Sequence, residues 1–323
     1  MITNFTPAVA PTKPIAPVVA AAKPIAVAPV VAPTIAVAPP VAAAIAVAPP
    51  VAAAKGVEAA GPSNMLATRL TNTGFVERIT PGAPMAGLFV SLKDVTVTIF
   101  QAMDRIQAGC VNGEIPGSIP SMLNGCLDTV MECAMVDSVN NPAAVGLSID
   151  ELAAIKLYTM PLYPEEASVY HLVNTALRDE NRNFVKPFAQ FIWLLMHALR
   201  KAPRFTRALV YRGVKQDLSS DYSVRLVGMK VTFRSFTSCA KTVDVLTNPM
   251  FLGMTGARTI FNIELTSNRA RDISAISMMS NEGEVLLPPN SKFTVMSVFG
   301  PSPDGLLTVQ LLEIPPTDPI MDF

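Results

Sequence analysis

Apolar positions along this chain change rhythm twice. Over the first fifty-odd residues they have no helical or strand period: alanine, valine, isoleucine and proline simply alternate, and the block IAVAPPVAAA at 35–44 recurs unchanged at 45–54, with looser copies from Ile15 and Ile25. Two or more prolines in each ten residues break any helix, and no aromatic past Phe5 is available to seed a core. Residues 1–55 are therefore expected to be a disordered, semi-rigid linker, partly polyproline-II. A docking segment for a proline-binding module is the sharper reading, but no PxxP flanked by arginine supports it. Helical spacing then appears at Leu92 to Ile106 and Met122 to Met135, although Val95-Thr96-Val97-Thr98-Ile99 could equally run as a strand. Val111 to Pro120, with two glycines and two prolines, reads as a loop. Residues 56–145 are expected to be a helical extension packed on the domain that follows.

A firmer start comes at Ser148, where Glu151 three residues on completes a capping-box pattern ahead of Leu152, Ile155 and Leu157. Ser168 to Arg178 places Val169, Leu172, Val173 and Leu177 on one face; Phe188 to Lys201 is apolar all round, hence buried, and Pro203 ends it. Beyond Pro203 the pattern alternates. Strands are expected at Ala208 to Tyr211, Lys230 to Phe236, Thr259 to Leu265, Glu284 to Leu287, Lys292 to Phe299 and Leu306 to Leu312. Helices followed by a run of strands predict an α+β domain, mostly antiparallel, over 146–316, with 317–323 as a short tail.

Composition narrows the chemistry. Lysine plus arginine and aspartate plus glutamate both number 25, so no strong basic field exists to draw in nucleic acid or an anionic membrane. Prolines interrupt every apolar run of the first segment, so no membrane span is expected. No basic-then-apolar leader and no lipid-anchor tail are apparent, which points weakly to the cytoplasm. Cys110, Cys126, Cys133 and Cys239 contain no CxxC pair and only His171 and His197 accompany them, so no metal site is expected, and at most one disulfide. His171 and His197 sit on apolar helix faces and read as core or surface histidines; no serine-histidine-acid set is visible. No GxGxxG or Walker pattern occurs, so a nucleotide would not be held by a Rossmann unit.

Three short motifs lie in order on the predicted strands: Tyr211-Arg212-Gly213, Phe233-Arg234-Ser235-Phe236-Thr237-Ser238-Cys239, and Asn281-Glu282-Gly283-Glu284-Val285-Leu286-Leu287-Pro288-Pro289. Each alone is weak; an isolated glutamate pair is usually an exposed face. In this order they resemble the arginine-specific mono-ADP-ribosyltransferases, marked by an arginine, a Ser-x-Ser strand and Glu-x-Glu. The resemblance runs from about Ser148 to Ile314 and includes Leu157-Tyr158-Thr159, Asn174-x-x-Leu177-Arg178, Phe251-Leu252-Gly253 and Arg271-Asp272-Ile273-Ser274.

The resemblance implies a core of two abutting antiparallel β-sheets with an N-terminal helical subdomain, and NAD as substrate in the cleft between the sheets. It implies that Arg212 holds the NAD diphosphate, a task for a forked, permanently charged guanidinium. Tyr211 and Gly213 would lie on the same cofactor-binding stretch, Gly213 letting its backbone approach the nicotinamide carboxamide. Ser238 would bond near the nicotinamide ribose and orient the catalytic glutamate, and Phe251 would stack on the cationic pyridinium. Glu284 would be the catalytic carboxylate, stabilising positive charge as the nicotinamide–ribose bond breaks. Glu282, two positions earlier, would face the same side of an extended backbone and bind a guanidino acceptor, on a protein or as a small molecule.

Two positions depart from the family pattern. Ala240 replaces the last serine of Ser-x-Ser, with Cys239 between; that cysteine reads as an apolar filler or, less simply, a redox-sensitive thiol in the cleft. Ile276 and Met279 occupy loop positions where the family often carries aromatics. Two other functions stay open: an NAD glycohydrolase on the same scaffold, and a non-catalytic interaction protein.

Overall fold

The computed structural model describes Phe89, Leu92 and residues 95–115, 122–247 and 251–315. The repeat segment, the tail and part of the predicted 111–120 loop lie outside the described residues.

Among the described residues five long helices come first, and local signals set their starts. Helix α1 (Ile99–Val111) is capped by Thr98, whose side chain accepts from the Gln101 N–H while the Gln101 side chain accepts in return from Thr98. That reciprocal cap settles the ambiguity around Val95: the helix begins at Ile99, and 95–98 is neither helix nor strand. Helix α2 (Met122–Asn140) follows. Helix α3 (Ile149–Thr159) starts at the Ser148–Glu151 capping box and is buried from Glu151 to Thr159. Burial on every side is tolerable because its ionic residues are paired: Lys156 lies 2.6 Å from Asp137 of α2, and Glu151 2.7 Å from Lys201. Helix α4 (Val169–Arg178) and helix α5 (Ala189–Lys201) are linked by a 3-10 segment, Arg182–Phe188. No helix among the described residues is long and apolar enough to cross a membrane.

Eight strands follow: β1 (Leu209–Val214), β2 (Lys230–Phe233), β3 (Thr237–Ala240), β4 (Arg258–Glu264), β5 (Arg271–Asp272), β6 (Glu284–Leu287), β7 (Ser291–Phe299) and β8 (Leu306–Ile314), with a short helix α6 (Val243–Thr247) after β3. The fold is α+β. Hydrogen bonding runs through one sheet in the order β2-β7-β8-β4-β1-β3-β6-β5. All pairings are antiparallel except β4 with β8, which is parallel.

Two abutting sheets were expected, and the ladder shows how one sheet can act as two. Between β1 and β3 the register contains a single pair, Tyr211↔Ala240. On one side of that seam stand five strands, on the other β3, β6 and β5. Cys239, Val285 and Leu287 from the short side join the apolar core of the long side, with Val210, Phe233, Phe261, Phe293 and Val309. The opposite face of the short side, Phe236, Ile273, Ile276 and Leu286, packs into the helical core with residues of α1 to α5. Helices of the 99–140 region thus share one core with those of 149–201.

The expected strand Lys230 to Phe236 breaks after Phe233. Its continuation is diverted by a side chain: the Phe236 N–H donates to Asn174 Oδ1 at 3.1 Å, a bond that replaces a ladder partner. The chain then re-enters as β3, which carries the serine motif.

Candidate active site

The seam gathers the predicted residues. Arg212 is the fourth residue of β1, and its Nη1 donates to the Ser238 carbonyl at 3.0 Å. Where the main-chain ladder offers one pair, this guanidinium supplies a further link between the two halves. In β3 and β6, Ala240 pairs with Glu284 and Ser238 with Leu286, so Ser238 and Glu284 point to the same face two residues apart. Ser238 Oγ donates to Glu284 Oε1 at 2.6 Å. Arg212, Ser238, Glu282 and Glu284 are all buried, between 0% and 4% exposed. A carboxylate in such a dry position acts with less screening than one in water.

The glutamate pair is built differently from the expectation. Glu282 is not on the strand with Glu284 but ends a 3-10 turn, Ser280–Glu282, and Gly283 follows in the left-handed region at φ 58°, ψ 38°. Alternation along an extended backbone therefore cannot place the two side chains; the turn does, and only glycine adopts that conformation without strain.

Other expected residues have mixed positions. Tyr211 packs beside Ala240, Leu246, Phe251, Leu252 and Ile260 in a small apolar cluster, and Phe251 is 9% exposed there. A Cβ built on Gly213 would come within 3.3 Å of Leu252, so this glycine answers to close packing. Ile276 is sealed in the helical core, with no exposure, and is unavailable to an acceptor; Met279 is half-buried.

Cys239 lies on the face opposite Ser238 and Glu284, wholly buried in the core between the sheet halves, so the reading of a thiol in the cleft is corrected. Burial pushes its pKa up to about 12 from 9.0, Glu284 adding to the rise and Arg212 opposing it. A raised thiol pKa favours the folded state fully below pH 9 and progressively less as pH climbs toward about 12. None of the four cysteines is in a disulfide. In native protein, a thiol-alkylating reagent at pH 8 is expected to spare Cys239 and to modify it only after unfolding, as peptide mass spectrometry would show. Native labelling of Cys239 at the rate of Cys133 would contradict this placement.

The structure also brings in residues whose roles were not assigned from sequence. Asn174 Nδ2 donates to the Tyr158 hydroxyl at 3.0 Å while its Oδ1 holds Phe236, so Tyr158 and Asn174 fix the entry to β3. Arg178 Nη1 donates to Ser235 Oγ at 3.4 Å, and Arg234 Nη1 to the Arg178 carbonyl at 3.4 Å. Arg182 lies close enough for its pKa to be lowered, by burial first and by the Arg234 charge second, with Asp179 opposing. Three guanidinium groups thus collect at the β2–β3 turn. The signal was present in Asn174-x-x-Leu177-Arg178 and in Arg234, but only folding shows that they meet. His171 is half-buried, and burial holds its pKa below the ordinary histidine value, with Glu165 opposing. His197 Nδ1 lies 2.9 Å from the Trp193 carbonyl, with its ring edge-on to Trp193; neither histidine joins the site.

The seam thus presents a serine-held carboxylate, a second glutamate on the adjoining turn and the Arg212 guanidinium. The family model described as NAD:arginine ADP-ribosyltransferase matches residues 135–314, and the chain belongs to that family. The family's description names NAD as the donor. A curated relative, the putative NAD(+)--arginine ADP-ribosyltransferase Mav of Mycobacterium avium (strain 104), is 32% identical over 169 residues, which is 52% of this chain and 18% of that protein. The chain thus spans about a fifth of the length of the curated relative it matches. Among solved structures, the type III effector XopAI of Xanthomonas axonopodis pv. citri aligns at 18% identity and TM-score 0.49, covering 67% of this chain and 88% of the other. The ADP-ribosyltransferase HopU1 of Pseudomonas syringae pv. Tomato DC3000 aligns at 24% identity and TM-score 0.48, covering 58% and 87%.

Proposed function

We propose that this chain transfers ADP-ribose from NAD to a guanidino group, on a protein arginine or a small acceptor, with release of nicotinamide. The observation that carries the reading is the 2.6 Å bond from Ser238 Oγ to Glu284 Oε1 at the sheet seam, with Glu282 on the adjoining turn. Cleavage of the nicotinamide–ribose bond builds positive charge on the ribose, as in glycoside cleavage. A carboxylate with its position fixed in advance stabilises that charge without reorganising. Ser238 supplies the fixing: it holds one carboxylate oxygen while leaving the headgroup on β6.

The guanidinium groups of Arg178, Arg182 and Arg234 are suited to the donor's phosphates, being permanently charged and able to fork onto oxygen pairs. Arg212 combines two duties in this reading, ordering the Ser238 strand through its bond to the Ser238 carbonyl and facing the donor with its charge. Glu282 accepts N–H bonds from the incoming guanidinium and aligns one nitrogen with the ribose carbon.

The test is incubation with NAD labelled in its adenylate half and agmatine as a free guanidine, reading label on agmatine and nicotinamide released. Glu282→Ala is expected to cut label transfer by about a hundredfold while nicotinamide release to water persists. Undiminished transfer by that variant would show that Glu282 does not serve the acceptor. Wild-type protein that releases nicotinamide but never labels agmatine would favour the glycohydrolase.

A further inference from the structure

The two glutamates stand on different backbone, one ending a 3-10 turn and one in a strand, and this difference carries an inference that rests on the proposed transfer activity. Glu284 is fixed three ways: by the β3 ladder opposite Ala240, by Ser238 Oγ, and by its carbonyl, which accepts from the Ile273 N–H at 3.1 Å. Glu282 stands outside the ladder, at the end of a 3-10 turn, joined to the strand through left-handed Gly283. What sets the angle of that turn bears on where Glu282 stands.

Lys241 occupies the position that could do so. It follows Ala240 at the end of β3, and its side chain runs alongside Gly283. Among the described residues, the atoms within 4 Å of a Cβ built on Gly283 are the Lys241 Cδ and Cγ, at 3.8 and 4.0 Å. The side chain continues past Gly283 to β5 and its following loop, where Nζ lies 2.7 Å from Asp272 Oδ2 and donates to Ser274 Oγ at 2.8 Å. Ser274 in turn donates to Asp272 Oδ1 from its hydroxyl, at 2.6 Å, and from its backbone N–H, at 3.2 Å. Asp272 is paired with Val285 in the β5–β6 ladder, so this end is anchored to the strand that carries Glu284. Burial alone would raise the Asp272 pKa; the hydrogen bonds from Lys241 and Ser274 outweigh it and hold the carboxyl below its usual range. Asp272 is therefore ionised across ordinary working pH.

We propose that Lys241, Asp272 and Ser274 form a strap that crosses beneath Gly283, holds its left-handed turn, and so sets the position of Glu282 relative to Glu284. Lys241 is then a positioning residue for the acceptor step. Its loss leaves the three restraints on Glu284 in place and loosens the turn that carries Glu282.

The test measures label transfer to agmatine and NAD hydrolysis side by side in Lys241→Met, which keeps the methylene stem and removes the ammonium, and in Lys241→Arg, which keeps a charged donor. Lys241→Met is expected to lower the ratio of transfer to hydrolysis by roughly tenfold or more and to raise the KM for agmatine, while the KM for NAD moves by less than about twofold. Lys241→Arg is expected to recover most of the ratio. An unchanged ratio in Lys241→Met, or a parallel fall of both activities, overturns the strap; retained hydrolysis reports that the fold survives. Should Lys241→Met fail to fold, Asp272→Asn breaks the same ion pair from the other end and is held to the same ratio. If the wild type hydrolyses NAD yet never labels agmatine, the transferase reading falls and takes this proposal with it, a result distinct from a working transferase indifferent to Lys241.

Discussion

Glu284→Gln is expected to reduce both nicotinamide release and label transfer by about a thousandfold, with folding unimpaired. Glutamine matches glutamate in shape, and its amide oxygen still accepts from Ser238 Oγ, so the β3–β6 ladder and the 2.6 Å contact have no reason to rearrange. What disappears is the negative charge beside the ribose. In the dry position that Glu284 occupies, with no exposed surface, that charge is worth far more to a developing cation than it would be in water. Both activities should fall together because, in the proposed reaction, water and guanidine would attack the same activated ribose. Thermal unfolding of the variant should stay close to wild type, since the substitution is isosteric and keeps the bond from Ser238 Oγ. Substantial residual transfer in a folded variant would remove Glu284 from the role assigned to it.

Arg212→Ala carries the second large effect, in stability and activity together. Arg212 is 3% exposed and donates to the carbonyl of Ser238, at the seam where the main chain provides one pair. Removing it leaves that buried carbonyl without its charged donor, which costs about 2–3 kcal/mol, and adds the loss of packing by the arginine stem. A urea titration should show the midpoint fall with little change of slope. NAD consumption should drop more than tenfold even at temperatures where the variant is folded, because the strand bearing Ser238 is no longer held. Arg212→Lys should recover part of the stability and little of the activity, a single point charge being unable to reproduce the fork. Wild-type stability in Arg212→Ala would mean that the seam does not depend on this side chain.

Much of this architecture is legible before folding. The Ser148–Glu151 pattern predicts the start of α3, and the reciprocal cap is present; apolar spacing predicts α4 and α5 within a residue or two. Alternation finds six of the eight strands at or near their places. What alternation cannot find is whatever depends on a distant partner. The break after Phe233 is made by Asn174, more than fifty positions away, and β5 is a two-residue strand with no pattern to detect. For the site, motif order locates Arg212, Ser238 and Glu284, and the structure brings all three to one seam. Strand periodicity misplaces Glu282, because a positive φ at Gly283 ends the extended backbone before Glu282 is reached. The strap from Lys241 and the meeting of Arg178, Arg182 and Arg234 lie beyond any local pattern, since each joins separate elements.

The central claim is that one seam holds the donor's reacting ribose against Glu284. A crystal structure of the Glu284→Gln protein with NAD bound tests it most directly. The account predicts the nicotinamide ribose 2′-hydroxyl within hydrogen-bond distance of residue 284, Ser238 still holding that side chain, and the diphosphate among the arginines of the β1 and β2–β3 region. NAD bound elsewhere, with its ribose out of reach of position 284, would contradict it.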